Sequence, residues 1–296
     1  MPGFVARALL AIALASTPWL AAGATPIATQ QAAFKDYNFL TWFPDGKALL
    51  FSAAVDGTYH LYRLEVDDDS VSQVTDGPLS DYAVSVSPDG AKLAYTEQCA
   101  ATSKDYCLYV SSSSGTDARL LASNAAEATW RPDGRAVVFF SRRAGHAHLF
   151  ELSFADSKVT QLTSDAGNDF SPAFSPDGNR IAFESDRDGG GVDEIYVLDV
   201  QTGVEHRLTH NTINDVRPTW SPDGLSIYWS QNSDAWFNLF RMSADGTGVT
   251  MIEPRATQSA ISPSGELAYL GYPSGRGKFQ IFLFEAGTPR ALTALP

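Results

Sequence analysis

Cysteine is almost absent from this 296-residue sequence, which has only Cys99 and Cys107. Two cysteines exclude a disulfide-dense scaffold or a multi-cysteine metal cluster. No histidine and no third cysteine shares their short loop, so a metal site there lacks ligands. A local disulfide across a hairpin connection is expected instead. Positive charge is also scarce: 21 Lys plus Arg stand against 34 Asp plus Glu, a formal charge of −13. So acidic a chain repels phosphate backbones, and no nucleic acid partner is expected. Long apolar runs are missing. The one near the N-terminus, residues 8–15, is far shorter than the ~20 residues of a membrane span. No later stretch has sustained helical periodicity, which argues against a helical fold.

Residues 1–24 have the layout of an export signal. Arg7 is the only charged side chain, the apolar run Ala8–Ala15 follows, and Pro18 breaks it. Ala22-Gly23-Ala24 supplies the small residues required for cleavage, expected near Ala24. No cysteine lies near the cut, so no lipid anchor is expected. Export to the periplasm or outside the cell brings Cys99 and Cys107 into an oxidising compartment. Residues 25–35 read as an extension that either adds an edge strand to the last repeat or lies loose.

One unit then recurs six times. Pro44-Asp45-Gly46, Pro88-Asp89-Gly90, Pro132-Asp133-Gly134, Pro176-Asp177-Gly178 and Pro222-Asp223-Gly224 are followed by a degraded copy, Pro263-Ser264-Gly265. The glycines lie 44, 44, 44, 46 and 41 residues apart, the length of a four-stranded propeller blade. Before each turn stands a bulky apolar residue: Trp42, Val86, Trp130, Phe174, Trp220 or Ile261. After it come a short apolar strand, a break, a strand with an aliphatic–aromatic pair such as Ile195-Tyr196, and a fourth strand ending on Leu-Thr or a variant. Short runs rich in aromatic and β-branched residues, bounded by Gly, Pro, Asp and Ser, are strands. The expectation is all-β: a single six-bladed β-propeller of four-stranded antiparallel blades over residues 36–296.

The phrase from Phe174 to Gly189, followed by Ile195-Tyr196-Val197-Leu198-Asp199 and Arg207-Leu208-Thr209, resembles the repeat of TolB-type propellers. The resemblance runs from about residue 36 to 293. It implies a periplasmic β-propeller related to the Tol–Pal envelope system, but without the α/β domain that precedes the propeller in TolB. The same repeat occurs in non-catalytic propellers of prolyl-oligopeptidase-type peptidases and in some polysaccharide lyases, so fold alone does not define function.

Catalytic motifs are missing. Gly271-Tyr272-Pro273-Ser274-Gly275 has the wrong spacing for a nucleophile elbow, and Gly189-Gly190-Gly191 lacks the lysine of a phosphate loop. His146 and His148 share a strand face but have no third ligand. Asp186, Asp188 and Asp193, and the run Asp67-Asp68-Asp69, read as solvated turns rather than calcium loops. The repeat register singles out Asp81, Asp169 and Asp215, each nine residues before its turn glycine. They open the first strand of blades two, four and five. Either they ring one mouth of the channel and attract a cation or a basic group, or each caps its own turn. On the same face, Trp236, Phe237 and Tyr272 stand in loops between second and third strands. There they anchor a partner or fold back over the blade. The expected function is a non-enzymatic, monomeric recognition module for a protein or cell-envelope component, with no cofactor. The alternative is a glycan-active hydrolase or lyase with a divalent cation at the channel mouth.

Overall fold

The computed structural model describes residues 36–293, apart from 101, 102, 104, 189, 234, 235, 273–278 and 286. The expected leader (1–24) and extension (25–35) lie outside the described residues. Blade 1 holds β1 (Asp36–Trp42), β2 (Ala48–Ala54), β3 (Tyr59–Glu65) and β4 (Val71–Gln73). Blade 2 holds β5 (Asp81–Val86), β6 (Lys92–Gln98), β7 (Tyr106–Ser112) and β8 (Arg119–Ser123). Blade 3 holds β9 (Ala126–Trp130), β10 (Ala136–Ala144), β11 (His146–Ser153) and β12 (Val159–Gln161). Blade 4 holds β13 (Asp169–Phe174), β14 (Arg180–Ser185), β15 (Glu194–Asp199) and β16 (Glu205–Arg207). Blade 5 holds β17 (Asp215–Trp220), β18 (Ser226–Ser233), β19 (Trp236–Ser243) and β20 (Thr250–Glu253). Blade 6 holds β21 (Ala256–Ile261), β22 (Leu267–Gly271), β23 (Gln280–Glu285) and β24 (Thr288–Ala291). Each blade is an antiparallel sheet of four consecutive strands. Among the described residues there is no helix, and none that is long and apolar enough to cross a membrane.

The turn signal works as its chemistry requires. In blades 1 to 5 the Asp carboxylate accepts the backbone N–H two residues on, for example Lys47 at 3.0 Å and Ala91 at 3.0 Å. Gly90 sits at φ +71° and donates its N–H to the Ser87 carbonyl at 2.8 Å. Only glycine takes that conformation without strain. In every blade an aromatic ring on the second strand stacks or tilts against one directly opposite on the third. The pairs are Phe51–Tyr62, Tyr95–Tyr109, Phe139–Phe150, Phe183–Tyr196, Trp229–Phe240 and Tyr269–Phe282, with centroids 5.5 to 6.2 Å apart. Such cross-strand pairs set register and fill the space between blades.

Ring closure uses side chains. Tyr37, Trp42 and Phe51 of blade 1 share a buried cluster with Ala268, Ile281 and Leu292 of blade 6. Trp42 donates its indole N–H to the Ala260 carbonyl at 3.2 Å, and Trp220 repeats the contact to Ala173 at 3.1 Å. The Leu-Thr pairs expected to end the fourth strands lie just beyond them: β4, β12 and β16 stop at Gln73, Gln161 and Arg207. The threonine leaves the ladder because its hydroxyl takes a different task.

Candidate functional site

That task links Thr75 to Asp81. The Leu61 N–H donates to Thr75 Oγ1 at 2.9 Å, and the Thr75 hydroxyl donates to Asp81 Oδ2 at 2.5 Å. The relay ties the end of blade 1 to the start of blade 2. Leu149, Thr163 and Asp169 repeat it between blades 3 and 4 at 3.0 and 2.5 Å. Ile195, Thr209 and Asp215 repeat it between blades 4 and 5. At ring closure Ile281 donates to Thr293 at 3.0 Å, and Thr293 bonds Tyr37, which occupies the aspartate's place.

Asp81, Asp169 and Asp215 are therefore buried ties in three separate seams, and none of them lines the channel. Each carboxylate takes the hydroxyl of the threonine six residues before it, a local tie rather than a free charge. Asp169 also accepts the Ser185 hydroxyl at 2.7 Å and Arg187 Nη2 at 2.7 Å, with His148 Nδ1 at 3.3 Å. Arg187, 8% exposed, pairs further with Asp165 and Glu205 and covers the Phe183 and Tyr196 rings. Its backbone lies so near Gly167 that a Cβ there would be 2.4 Å from Arg187 Cα. Asp215 accepts the Trp229 indole at 2.9 Å and the Gln231 amide at 2.8 Å, and burial raises its pKa.

Asp81 differs. Its cross-strand partner is Glu97, where Asp169 has Ser185 and Asp215 has Gln231. Burial pushes the Asp81 carboxyl up to about 6, and burial together with the facing Asp81 charge raises Glu97. Two facing carboxyls share a proton rather than both ionise. His60 Nδ1 lies 3.7 Å from Asp81, and burial lowers the His60 pKa.

Two seams lack the relay. In blades 2 and 5 the ladder continues through a bulge, by two pairs in blade 2 and one in blade 5, so that Leu108 faces Ala122 and Leu239 faces Glu253. From those residues to the next blade's register position is three residues rather than six, and buried Ala125 and Ala256 replace the aspartate. Other devices stand at these seams on the same face. The expected Cys99–Cys107 disulfide is formed in blade 2, with Cα atoms 5.1 Å apart. At the seam of blades 5 and 6, half-buried Trp236 meets Tyr272 edge-on at 4.8 Å. Tyr272 packs on Phe279 at 4.0 Å, and the Arg255 guanidinium lies 5.5 Å from the Trp236 ring centroid. Phe237, also half-buried, follows along β19. The Trp236 and Tyr272 rings pack together over the seam and each is partly exposed, while Trp236 and Phe237 open β19 itself rather than standing in the loop before it.

The channel is built by residues that the motif search passed over. Each first strand carries one left-handed non-glycine residue: Phe39, Ala83, Glu127, Ser171, Arg217 or Gln258, with φ from 43° to 56°. All stand seven positions before the turn glycine, where the ladder with the second strand shifts register. Left-handed backbone is costly for such residues and persists only when held. In four blades the preceding blade holds it. Glu127 N–H donates to Thr96 Oγ1 at 3.0 Å and Ser171 N–H to Glu127 Oε2 at 3.0 Å. Arg217 N–H donates to Glu184 Oε2 at 2.6 Å and Gln258 N–H to Ser230 Oγ at 3.1 Å. These six residues surround a cavity of about 170 Å³ on the axis. Burial, then the neighbouring Glu127 charge, pushes the Glu184 carboxyl up to about 8. Only register could have found the ring, since its six residue types share no chemistry.

Among the described residues, no three His, Cys, Asp or Glu side chains converge to hold a metal. His148 is committed to Asp169, and Asp188 to Tyr196 and Arg207.

The family described as "TolB beta propeller domain" matches residues 84–191, and that described as "Tricorn protease N-terminal beta propeller domain" matches 144–280. No curated protein sequence matches significantly. The structure of TolB from Acinetobacter baumannii superposes with a TM-score of 0.67 and 22% identity, over 83% of this chain and 56% of that one. This chain thus spans little more than half of that protein's length. A TolB-assigned protein from Agrobacterium tumefaciens gives a TM-score of 0.69 and 24% identity, over 81% of this chain and 91% of that one. An oligogalacturonate lyase from Vibrio parahaemolyticus gives 0.57 and 13%, over 84% and 89%. At these identities the superpositions establish fold and leave chemistry open. With its turn repeats, its four-stranded blades and these matches, the chain is a six-bladed β-propeller whose repeat is similar to that of TolB-type propellers.

Proposed function

We propose that the protein is an exported, non-enzymatic recognition module that binds a protein or cell-envelope component, as a monomer, through the face carrying the loops between second and third strands. The observation that carries this reading is the cluster of Trp236, Tyr272 and Phe279 beside Arg255. Aromatic rings held rigid next to an arginine are the residue types that dominate interface energetics. Here two strands and a disulfide-free seam position them at the rim of the face, half exposed. Export is supported by the leader-like residues 1–24 and by the disulfide, which persists in oxidising compartments. The glycan-directed alternative calls for Asp81, Asp169 and Asp215 to meet at one point with a cation; their ties to three different threonines favour the recognition reading instead.

The test is capture from envelope extract by the immobilised mature protein, with and without chelator, beside Trp236→Ala and Tyr272→Ala. The wild type is expected to retain a defined species, chelator to change nothing, and each variant to lose at least about tenfold in affinity. Equal retention by the variants, or none by the wild type, overturns the reading.

A further inference from the structure

We infer that the central channel is a binding site for a small zwitterion, its carboxylate held by Arg217 and its ammonium by Glu127. This goes beyond partner binding at the loop face and does not depend on it.

Arg217 is an unusual arginine in this acidic chain. Arg187 and Arg207 are each surrounded by carboxylates. Arg217 forms no ion pair among the described residues, although 34 Asp and Glu are present in the sequence. Its guanidinium lies 5.3 Å from the centroid of the Phe39 ring, contributed by blade 1, and so is steadied at the cavity wall. Its backbone N–H is pinned by Glu184 at 2.6 Å, and burial pushes that carboxyl up to about 8, which weakens it as a counter-charge for the guanidinium. A fixed guanidinium with unused donors matches a carboxylate in two parallel hydrogen bonds.

Glu127 enters the same cavity from blade 3. Its Oε2 accepts both the N–H and the hydroxyl of Ser171, each at 3.0 Å, which fixes its orientation. Its Oε1 accepts no hydrogen bond among the described residues. Ser85, Ser171 and Ser259 are further polar residues of the lining. About 170 Å³ is more than one water needs and suits a small molecule. Fixed opposite charges in one polar cavity favour a ligand that carries both and disfavour one that carries either alone.

Calorimetric titration of the whole mature protein tests this with glycine, β-alanine and γ-aminobutyrate, and with butyrate and butylamine as single-charge controls. At least one zwitterion is expected to bind about tenfold more tightly than both controls. Arg217→Lys keeps the charge and the backbone N–H but loses the planar fork, and should weaken that zwitterion at least about fivefold. Glu127→Gln still accepts from Ser171 and should abolish the advantage over butyrate. Circular dichroism checks that both variants keep the fold. No zwitterion binding at about 10 mM, equal binding of butyrate, or unchanged binding by both variants overturns the inference. Trp236→Ala should bind the zwitterion as wild type does, so failure here and failure of partner capture are separately visible.

Discussion

The seam between blades 3 and 4 and the seam between blades 2 and 3 solve the same problem differently. At the first, Thr163 and Asp169 join the blades through a buried relay that extends to Ser185, His148 and Arg187. At the second, the strand ladder runs two pairs further, Ala125 takes the aspartate's place, and a disulfide stands close by. A backbone N–H at the end of a strand must be satisfied. Where a threonine hydroxyl satisfies it, that hydroxyl needs an acceptor and the aspartate follows. Where the ladder satisfies it, an aspartate would be a buried charge without a donor. The acids are thus explained by the threonines.

Four changes break or sharpen this contrast. Asp169→Ala should have the largest effect, because it removes the acceptor of Thr163, Ser185 and Arg187 Nη2 at once. A loss of about 3–5 kcal/mol is expected in denaturant unfolding, and a loss under about 1 kcal/mol would show that the relay is dispensable. Reduction of Cys99–Cys107 at the relay-free seam should cost about 2.5 kcal/mol by loop entropy. It would be read as a lower thermal midpoint in dithiothreitol, and an unchanged midpoint would mean that the extended ladder suffices alone.

Glu97→Gln separates the blade 1–2 seam from its equivalents. The Asp81 carboxyl is raised from 3.8 to about 6 and Glu97 is raised as well. Folded-state pKa values above the unfolded ones mean stability is present at low pH and lost as pH rises through about 6. Glutamine gives Asp81 a permanent donor, as Gln231 gives Asp215. The variant should be more stable than wild type by about 1–2 kcal/mol at alkaline pH and alike at acid pH. A pH-independent difference would remove the shared proton from the account. The smallest effect is expected from Ala83→Gly in the channel ring, common to all six blades. Glycine relieves the left-handed backbone but adds unfolded-state entropy, leaving a gain of about 0.5 kcal/mol. A loss would mean that this residue's conformation is not strained.

Much of this was readable before folding. The turn glycines, the aliphatic–aromatic pairs and the neighbouring cysteines are local signals, and the structure realises each of them. The register also located Asp81, Asp169 and Asp215 correctly as the openings of first strands. The tie that each of them makes depends on the threonine six residues earlier, which by pattern alone reads as the end of the fourth strand. That co-occurrence, Thr75 with Asp81, Thr163 with Asp169 and Thr209 with Asp215, was present in the sequence and is absent where Ala125 and Ala256 stand. The Trp236–Tyr272 contact joins the start of β19 in blade 5 to the end of β22 in blade 6, so no local pattern announced it.

Sequence by itself determined the number of blades, the strand grammar and the disulfide, because each depends on residues close along the chain. Tertiary structure alone decided what faces the axis. Phe39, Ala83, Glu127, Ser171, Arg217 and Gln258 have nothing in common as residue types. Their shared conformation comes from a bulge against the second strand and, in four of them, from hydrogen bonds supplied by the blade before. Arg217 meets Phe39 only because six blades close into a ring.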